Sequence, residues 1–202
     1  MCIPDIIEAD TSTDIEPHGI IYSIRKVVSN DKILKYVNAS TTARNIEGSL
    51  ETLVKWDTFS RSSDSQDAYV QVEFKNRFVN PTKYSFKGIA GNYFSKEWKL
   101  YGFNSPNEEP TLLSTASSLG TSYCGDGSNC NGDGWGTFAM NPTDKSFRFF
   151  RIVCTKTSTT AVVWRITLAG FEIFGTLSRY SNPRMVLCHK TCRMNKLLSP
   201  CF

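Results

Sequence analysis

The stretch "AYVQVEF", Ala68–Phe74, decides how this chain folds. Apolar and polar residues alternate through it. Val70, Val72 and Phe74 share one face; Tyr69, Gln71 and Glu73 share the other. A period of two places a strand with one face in a core and one face outside. The pattern recurs downstream. "PTKYSFKGI" (Pro81–Ile89) puts Tyr84, Phe86 and Gly88 on one face, and "EWKLYGF" (Glu97–Phe103) sets Trp98, Leu100 and Gly102 against Lys99, Tyr101 and Phe103. "SFRFFRIVC" (Ser146–Cys154) and "ITLAGFEIFG" (Ile166–Gly175) complete the series. Turn-forming clusters separate the runs: "NPT" at 80–82, "NSPNEEP" at 104–110 and "NPTDK" at 141–145. Short strands without a convincing amphipathic helix between them predict an all-β protein, an antiparallel jelly-roll β-sandwich.

Upstream the reading is more open. "GIIYSIRKVV" (Gly19–Val28) fits a strand or a short helix, and periodicity alone does not choose. "NASTTA" (Asn38–Ala43) is small and strand-tolerant. Residues 1–18 read as an acidic, proline-bearing N-terminal arm, residues 19–177 as the sandwich, and residues 178–202 as a basic, cysteine-containing tail.

Hydrophobic residues make up 40% of the 202 and charged residues 21%, the mix of a folded globular chain. The net charge of +4 is too small and too dispersed to argue for nucleic acid. No apolar run is long enough to span a bilayer as a helix. The opening residues lack a basic n-region, so a cytoplasmic location with reduced thiols is expected, or an extracellular one if a leader has been removed. The cysteine count, seven, is odd.

The order of these runs is similar to that of the discoidin domain, also called the coagulation-factor C-type domain, of the galactose-binding-like fold. The residues that carry the resemblance are "YVQVEFKNRFVNPTKYSFKG", "EWKLYGFNSP", "SFRFFRI" and "LAGFEIFGTL", over about Gly19–Leu177. It extends to discoidin-like domains of protist proteins. The chain departs from the pattern at "FNSPNEEP", where the family has a Ser-Asn-Asp turn, and in lacking the cysteine pair that staples many secreted members. The resemblance implies an eight-stranded sandwich that binds sugars, phospholipid headgroups or proteins through loops at one end, without catalysis.

A sandwich core is taken up by packing, so binding falls to the loops. Three stretches qualify. "KWDTFSRSSDSQD" (Lys55–Asp67) brings Trp56, Phe59 and Arg61; "GIAGNYFSKEW" (Gly88–Trp98) brings Asn92, Tyr93 and Phe94. "GTSYCGDGSNCNGDGWG" (Gly120–Gly136) brings Asp126, Asn129, Asp133 and Trp135. Flat rings match the C–H face of a sugar, and Arg, Asn and Asp can bond its hydroxyls, so carbohydrate is the first expected ligand class. The same rings would serve an intracellular protein interface or, with Lys and Arg, a phospholipid surface. Equally, Trp56 and Tyr93 would cap the core end and touch no ligand.

The glycine-rich stretch is not an EF-hand, since that register puts Gly127 first and Phe138 twelfth, where carboxylates are needed; Asp126 and Asp133 remain available as ligands of an irregular cation site. Cys124 and Cys130 have the wrong spacing for zinc. Cys188, His189, Cys192 and Cys201 in the tail are a better set, but C-x3-C without a second pair is a weak signal. The family resemblance implies a structural calcium near the sheet end, with Glu172 in the matching position. As a plain strand residue, Glu172 would instead bond to backbone or to a basic neighbour. The two histidines, His18 and His189, both fall outside the sandwich as drawn, so no catalytic constellation is expected and the chain reads as a non-enzyme.

Overall fold

A computed structural model describes residues 6–9, 17–42, 45–57, 60–63, 69–87, 95–117, 135–157 and 165–179. Among the described residues twelve strands form three sheets, and their pairings are antiparallel. The four-stranded sheet runs β1 (Ile6–Ala9), β12 (Gly170–Ser178), β6 (Phe78–Lys87), β9 (Trp135–Ala139). The five-stranded sheet runs β2 (Val37–Thr41), β5 (Tyr69–Phe74), β10 (Phe149–Thr157), β7 (Ser95–Phe103), β8 (Thr111–Ser117). A small third sheet runs β11 (Arg165–Leu168), β4 (Ser60–Ser63), β3 (Asn45–Gly48).

Alternation does what the sequence implies in β5, where Val70, Val72 and Phe74 are buried and the intervening residues are half-buried. The core lies between the two larger sheets. Tyr84, Phe86, Phe138, Phe171 and Ile173 face Trp98, Leu100, Phe150 and Ile152. Trp98 joins the layers, with its ring 4.9 Å from Phe138 and 5.7 Å from Phe86, both edge-on. Its indole N–H donates to the Tyr84 hydroxyl at 2.9 Å, which donates to Ser114 at 3.4 Å, and Ser114 donates to the Ala139 carbonyl at 3.0 Å. These buried polar groups are therefore all satisfied. Burial pushes the Tyr84 phenol above its ordinary range, against the two hydrogen bonds.

Three expectations need correction, and one left open is resolved. The "NPT" read as a turn lies inside β6. Proline donates nothing to a ladder, and the strand tolerates Pro81 because the register against β12 shifts at Phe174/Gly175, opposite it. Gly175 makes this fit: its φ is +134°, and a Cβ there would lie 2.0 Å from the Asn80 carbonyl oxygen. "ITLAGFEIFG", read as one strand, is two. β11 pairs with β4 and β12 with β6 and β1, with the chain changing sheets at Ala169. "GIIYSIRKVV" resolves to a helix, α1 (Ile20–Val28), whose buried Ile20, Ile21, Ile24 and Val28 fall on one helical stripe. The residues read as an arm include β1, which pairs with β12, so the sandwich takes in chain ahead of residue 19.

A 3-10 helix (Asn30–Lys35) follows α1, and a four-residue helix, α2 (Thr52–Lys55), precedes Trp56. Both α1 and α2 pack on β12, which explains why β12 is buried along both faces. Among the described residues no helix is long and apolar enough to cross a membrane.

Candidate functional site

The start of α1 is held from across the molecule. A helix N-terminus leaves its first amides without partners, and Gly19 at the N-cap has no side chain to supply one. Glu172 of β12 does so instead. Its carboxyl accepts from the Ile21 amide at 2.8 Å, the Tyr22 amide at 2.8 Å, its neighbour Ile173 at 2.8 Å, and from Gly19. The approach is so close that a Cβ on Gly19 would lie 2.5 Å from Glu172 and from the Ile173 carbonyl oxygen. Complete burial pushes the carboxyl up to about 8, and the four amides oppose the shift. A calcium ion does not fit this arrangement, because four N–H groups aim their positive ends at the oxygens the cation would need.

Pinned this way, α1 presents Tyr22, Arg25 and Lys26 away from its buried stripe. His18, just ahead of the helix, stacks on Tyr22 with ring centroids 4.1 Å apart. Tyr22 in turn lies 6.4 Å from Trp56, and Trp56 meets Trp135 edge-on at 4.7 Å. The four rings thus form one run. Trp56 closes α2 in the left-handed conformation, φ +60° and ψ +30°, and its indole N–H donates to the Phe171 carbonyl at 3.1 Å. Gly170 makes room for both tryptophans: a Cβ there would lie 2.7 Å from Trp135 and 2.9 Å from Trp56.

Polar groups edge the rings. The Arg25 guanidinium sits 4.2 Å over the Trp56 ring, a cation–π contact. Its Nε donates to Asn30 Oδ1 at 2.7 Å, and the Asn30 amide donates to the Lys55 carbonyl at 3.3 Å. Lys26 Nζ lies 5.1 Å over the Tyr22 ring. Tyr22, Arg25, Lys26 and Asn30 enclose a cleft of about 220 Å³. Ring faces beside a fixed guanidinium, an ammonium and an amide can stack on an apolar face and bond the hydroxyls at its rim.

Of the residues singled out from the sequence, Trp56 and Trp135 come together here. Trp56 is only 9% exposed, so it backs the cleft rather than forming its open face. Glu172 lies beneath the helix. Arg61 is in β4, paired with β11 and β3 in the third sheet. Phe59, Asn92, Tyr93, Phe94, Asp126, Asn129 and Asp133 lie outside the described residues, as do the cysteines and His189 of the tail. His18, Tyr22, Arg25, Lys26 and Asn30 were not singled out. The signal was present: with Ile20, Ile21, Ile24 and Val28 inward, a helical period turns Tyr22, Arg25 and Lys26 outward.

No protein-family model matches the chain, and no curated protein matches it. Solved structures do. CBM32-3 from a family 31 glycoside hydrolase from Clostridium perfringens aligns with a TM-score of 0.53 at 15% identity, covering 70% of this chain and 92% of that one. The CBM32-1 and CBM32-2 domains of Clostridium perfringens ZmpB align with a TM-score of 0.50 at 14% identity, covering 69% of this chain and 34% of that one. Likeness at these identities speaks for the fold: the chain is an antiparallel β-sandwich of the galactose-binding-like type.

Proposed function

We propose that this protein is a non-catalytic, discoidin-like module that binds carbohydrate in the cleft beside α1. The observation that carries the reading is the run His18, Tyr22, Trp56, Trp135 set against Arg25, Lys26 and Asn30. A pyranose offers an apolar C–H face and a rim of hydroxyls, and this cleft pairs the Tyr22 ring, flanked by His18 and Trp56, with charged and amide donors. Tyr22 and His18, both half-buried, supply the accessible ring surface; Trp56 stiffens it from behind. The structural neighbours carry the designation CBM, carbohydrate-binding module, which supports the same ligand class.

The test is a glycan array with the wild-type chain and Tyr22→Ala, each first checked for folding by circular dichroism. Tyr22 is half-buried and packs on the edge of the core beside His18 and Trp56, which is why the folding check comes before the array. The expected result is a saccharide signal that falls at least about tenfold in the variant, a loss of about 1.4 kcal/mol. A wild-type chain that binds no glycan, or a folded variant that binds as well as the wild type, refutes the reading.

A further inference from the structure

We infer that the saccharide is anionic, a polymer bearing carboxylate or sulfate groups; this rests on the carbohydrate reading above. The cleft beside Tyr22 has a neighbour. A larger groove of about 660 Å³ shares Arg25 and Lys26 with it and continues along Val27, Val28, Ser29, Lys32, Lys35 and Tyr36. That volume lies within the usual range of small-ligand sites. Its lining carries four cations, Arg25, Lys26, Lys32 and Lys35, and no acidic residue among the described ones. Asp31 is the nearest acidic residue in sequence, and it is exposed on the 3-10 helix rather than in the groove lining.

The backbone arranges these charges. Side chains three apart eclipse on a 3-10 helix, so Lys32 and Lys35 project from one edge of Asn30–Lys35. Arg25 and Lys26 close the last turn of α1, where the helix dipole favours cations. That dipole accounts for the α1 pair. It does not account for Lys32 and Lys35, which are exposed and add to the same like-charged wall. Like charges gathered in a concave wall raise the local potential, and an anion relieves it. The groove adjoins, at Arg25 and Lys26, the cleft that Tyr22 lines, so the occupant that fits both is a chain of sugar units whose acidic substituents lie along the lysines while one ring stacks near Tyr22.

The experiment is titration calorimetry of the full chain with polygalacturonate, heparin and neutral galactan, at about 0.05 M and about 0.5 M salt. Each exposed charge contact is worth roughly fivefold in affinity in water-like surroundings. Lys32→Ser with Lys35→Ser is therefore expected to weaken polyanion binding roughly 25-fold at low salt, and added salt to weaken the wild type in the same direction. A charge-matched control, Lys99→Ser with Lys145→Ser, removes the same net charge outside the groove and is expected to change affinity less than about twofold. Heparin alone bound identifies sulfate, polygalacturonate alone carboxylate, and both a demand for charge; each supports the inference. Galactan bound as tightly as the polyanions overturns it and leaves the carbohydrate reading standing. No saccharide bound overturns both. Polyglutamate or duplex DNA bound as tightly as the polysaccharides, or a loss in the control equal to that in the groove variant, also overturns it.

Discussion

Glu172 links the sandwich to the helix that carries the site, and replacing it gives a graded test of that link. Glu172→Ala leaves four buried or part-buried amides, those of Gly19, Ile21, Tyr22 and Ile173, without their acceptor. An orphaned buried donor costs about 1–3 kcal/mol, so even the low end gives about 4 kcal/mol, a large part of a domain stability of about 5–15 kcal/mol. Glu172→Gln is milder. Its carbonyl keeps the Ile21 and Ile173 amides, while its NH2 faces the Tyr22 amide, which orphans at least that one of the four at about 1–3 kcal/mol. For a chain of this size that lowers the melting temperature by roughly 2–12 °C. The pH dependence adds a second axis. The carboxyl is pushed up to about 8 in the folded state from an ordinary 4.5. Between those values the folded state holds a proton that the unfolded state releases, so the wild type loses stability as pH rises from about 4.5 to about 8, by up to about 1.4 kcal/mol per unit, and no further above it. Glutamine has no such proton. Urea unfolding of the three proteins at about pH 5, 7 and 9 is therefore expected to rank wild type above Gln above Ala at low pH, with the wild-type advantage over Gln shrinking as pH rises. An advantage over Gln that grows with pH would show the amides holding the carboxylate ionised and would refute the balance of burial over hydrogen bonding. An Ala variant as stable as the Gln variant would refute the capping role itself.

Three further substitutions follow from close contacts. Gly175→Ala meets the Asn80 carbonyl oxygen at 2.0 Å in a backbone conformation at φ +134°, so it is expected to yield little soluble protein, read by expression and gel filtration. Gly170→Ala pushes a Cβ into Trp135 and Trp56; it is expected to cost about 1–3 kcal/mol and to shift tryptophan fluorescence, while an unchanged spectrum would show that the two rings do not pack on this glycine. Trp98→Phe removes the donor to the Tyr84 hydroxyl and part of an interlayer ring; urea unfolding is expected to show a loss of about 1–3 kcal/mol, and a loss under about 0.5 kcal/mol would show that the polar chain Trp98–Tyr84–Ser114 is not coupled to the core.

The strands legible in the sequence were those with one wet face. Val70, Val72 and Phe74 alternate with polar neighbours because β5 has a solvent side, and the period announces itself. In β12 that contrast vanishes. Phe171, Ile173 and Leu177 enter the sandwich, while Phe174 and Glu172 are equally buried on the other side, so no alternation marks where the strand begins. The chain therefore read straight through Ala169, although a change of sheet occurs there. Pro81 misled in the opposite direction. A proline between asparagine and threonine is ordinary turn chemistry, and only a register shift on the partner strand, fixed by a glycine 94 residues later in the sequence, shows how a strand accommodates it.

The site was hidden for a related reason. Loop aromatics draw attention because loops are where sandwiches bind, and Trp56 and Trp135 do converge. What surrounds them comes from α1, a segment whose type the local sequence left open. Its isoleucines fit either a strand or a helix, and the tie is broken by a group about 150 residues away: a helix starting at Ile20 needs an acceptor for its first amides, Gly19 cannot provide one, and Glu172 does. Once that pairing exists the helical period is fixed, and with it the outward positions of Tyr22, Arg25 and Lys26. The glutamate that the family resemblance suggested as a cation ligand thus has a different consequence. By accepting from backbone N–H groups inside the core, it determines which face of α1 a ligand can reach, so a change at this buried residue is expected to move ligand affinity as well as stability, even though no atom of Glu172 faces the cleft.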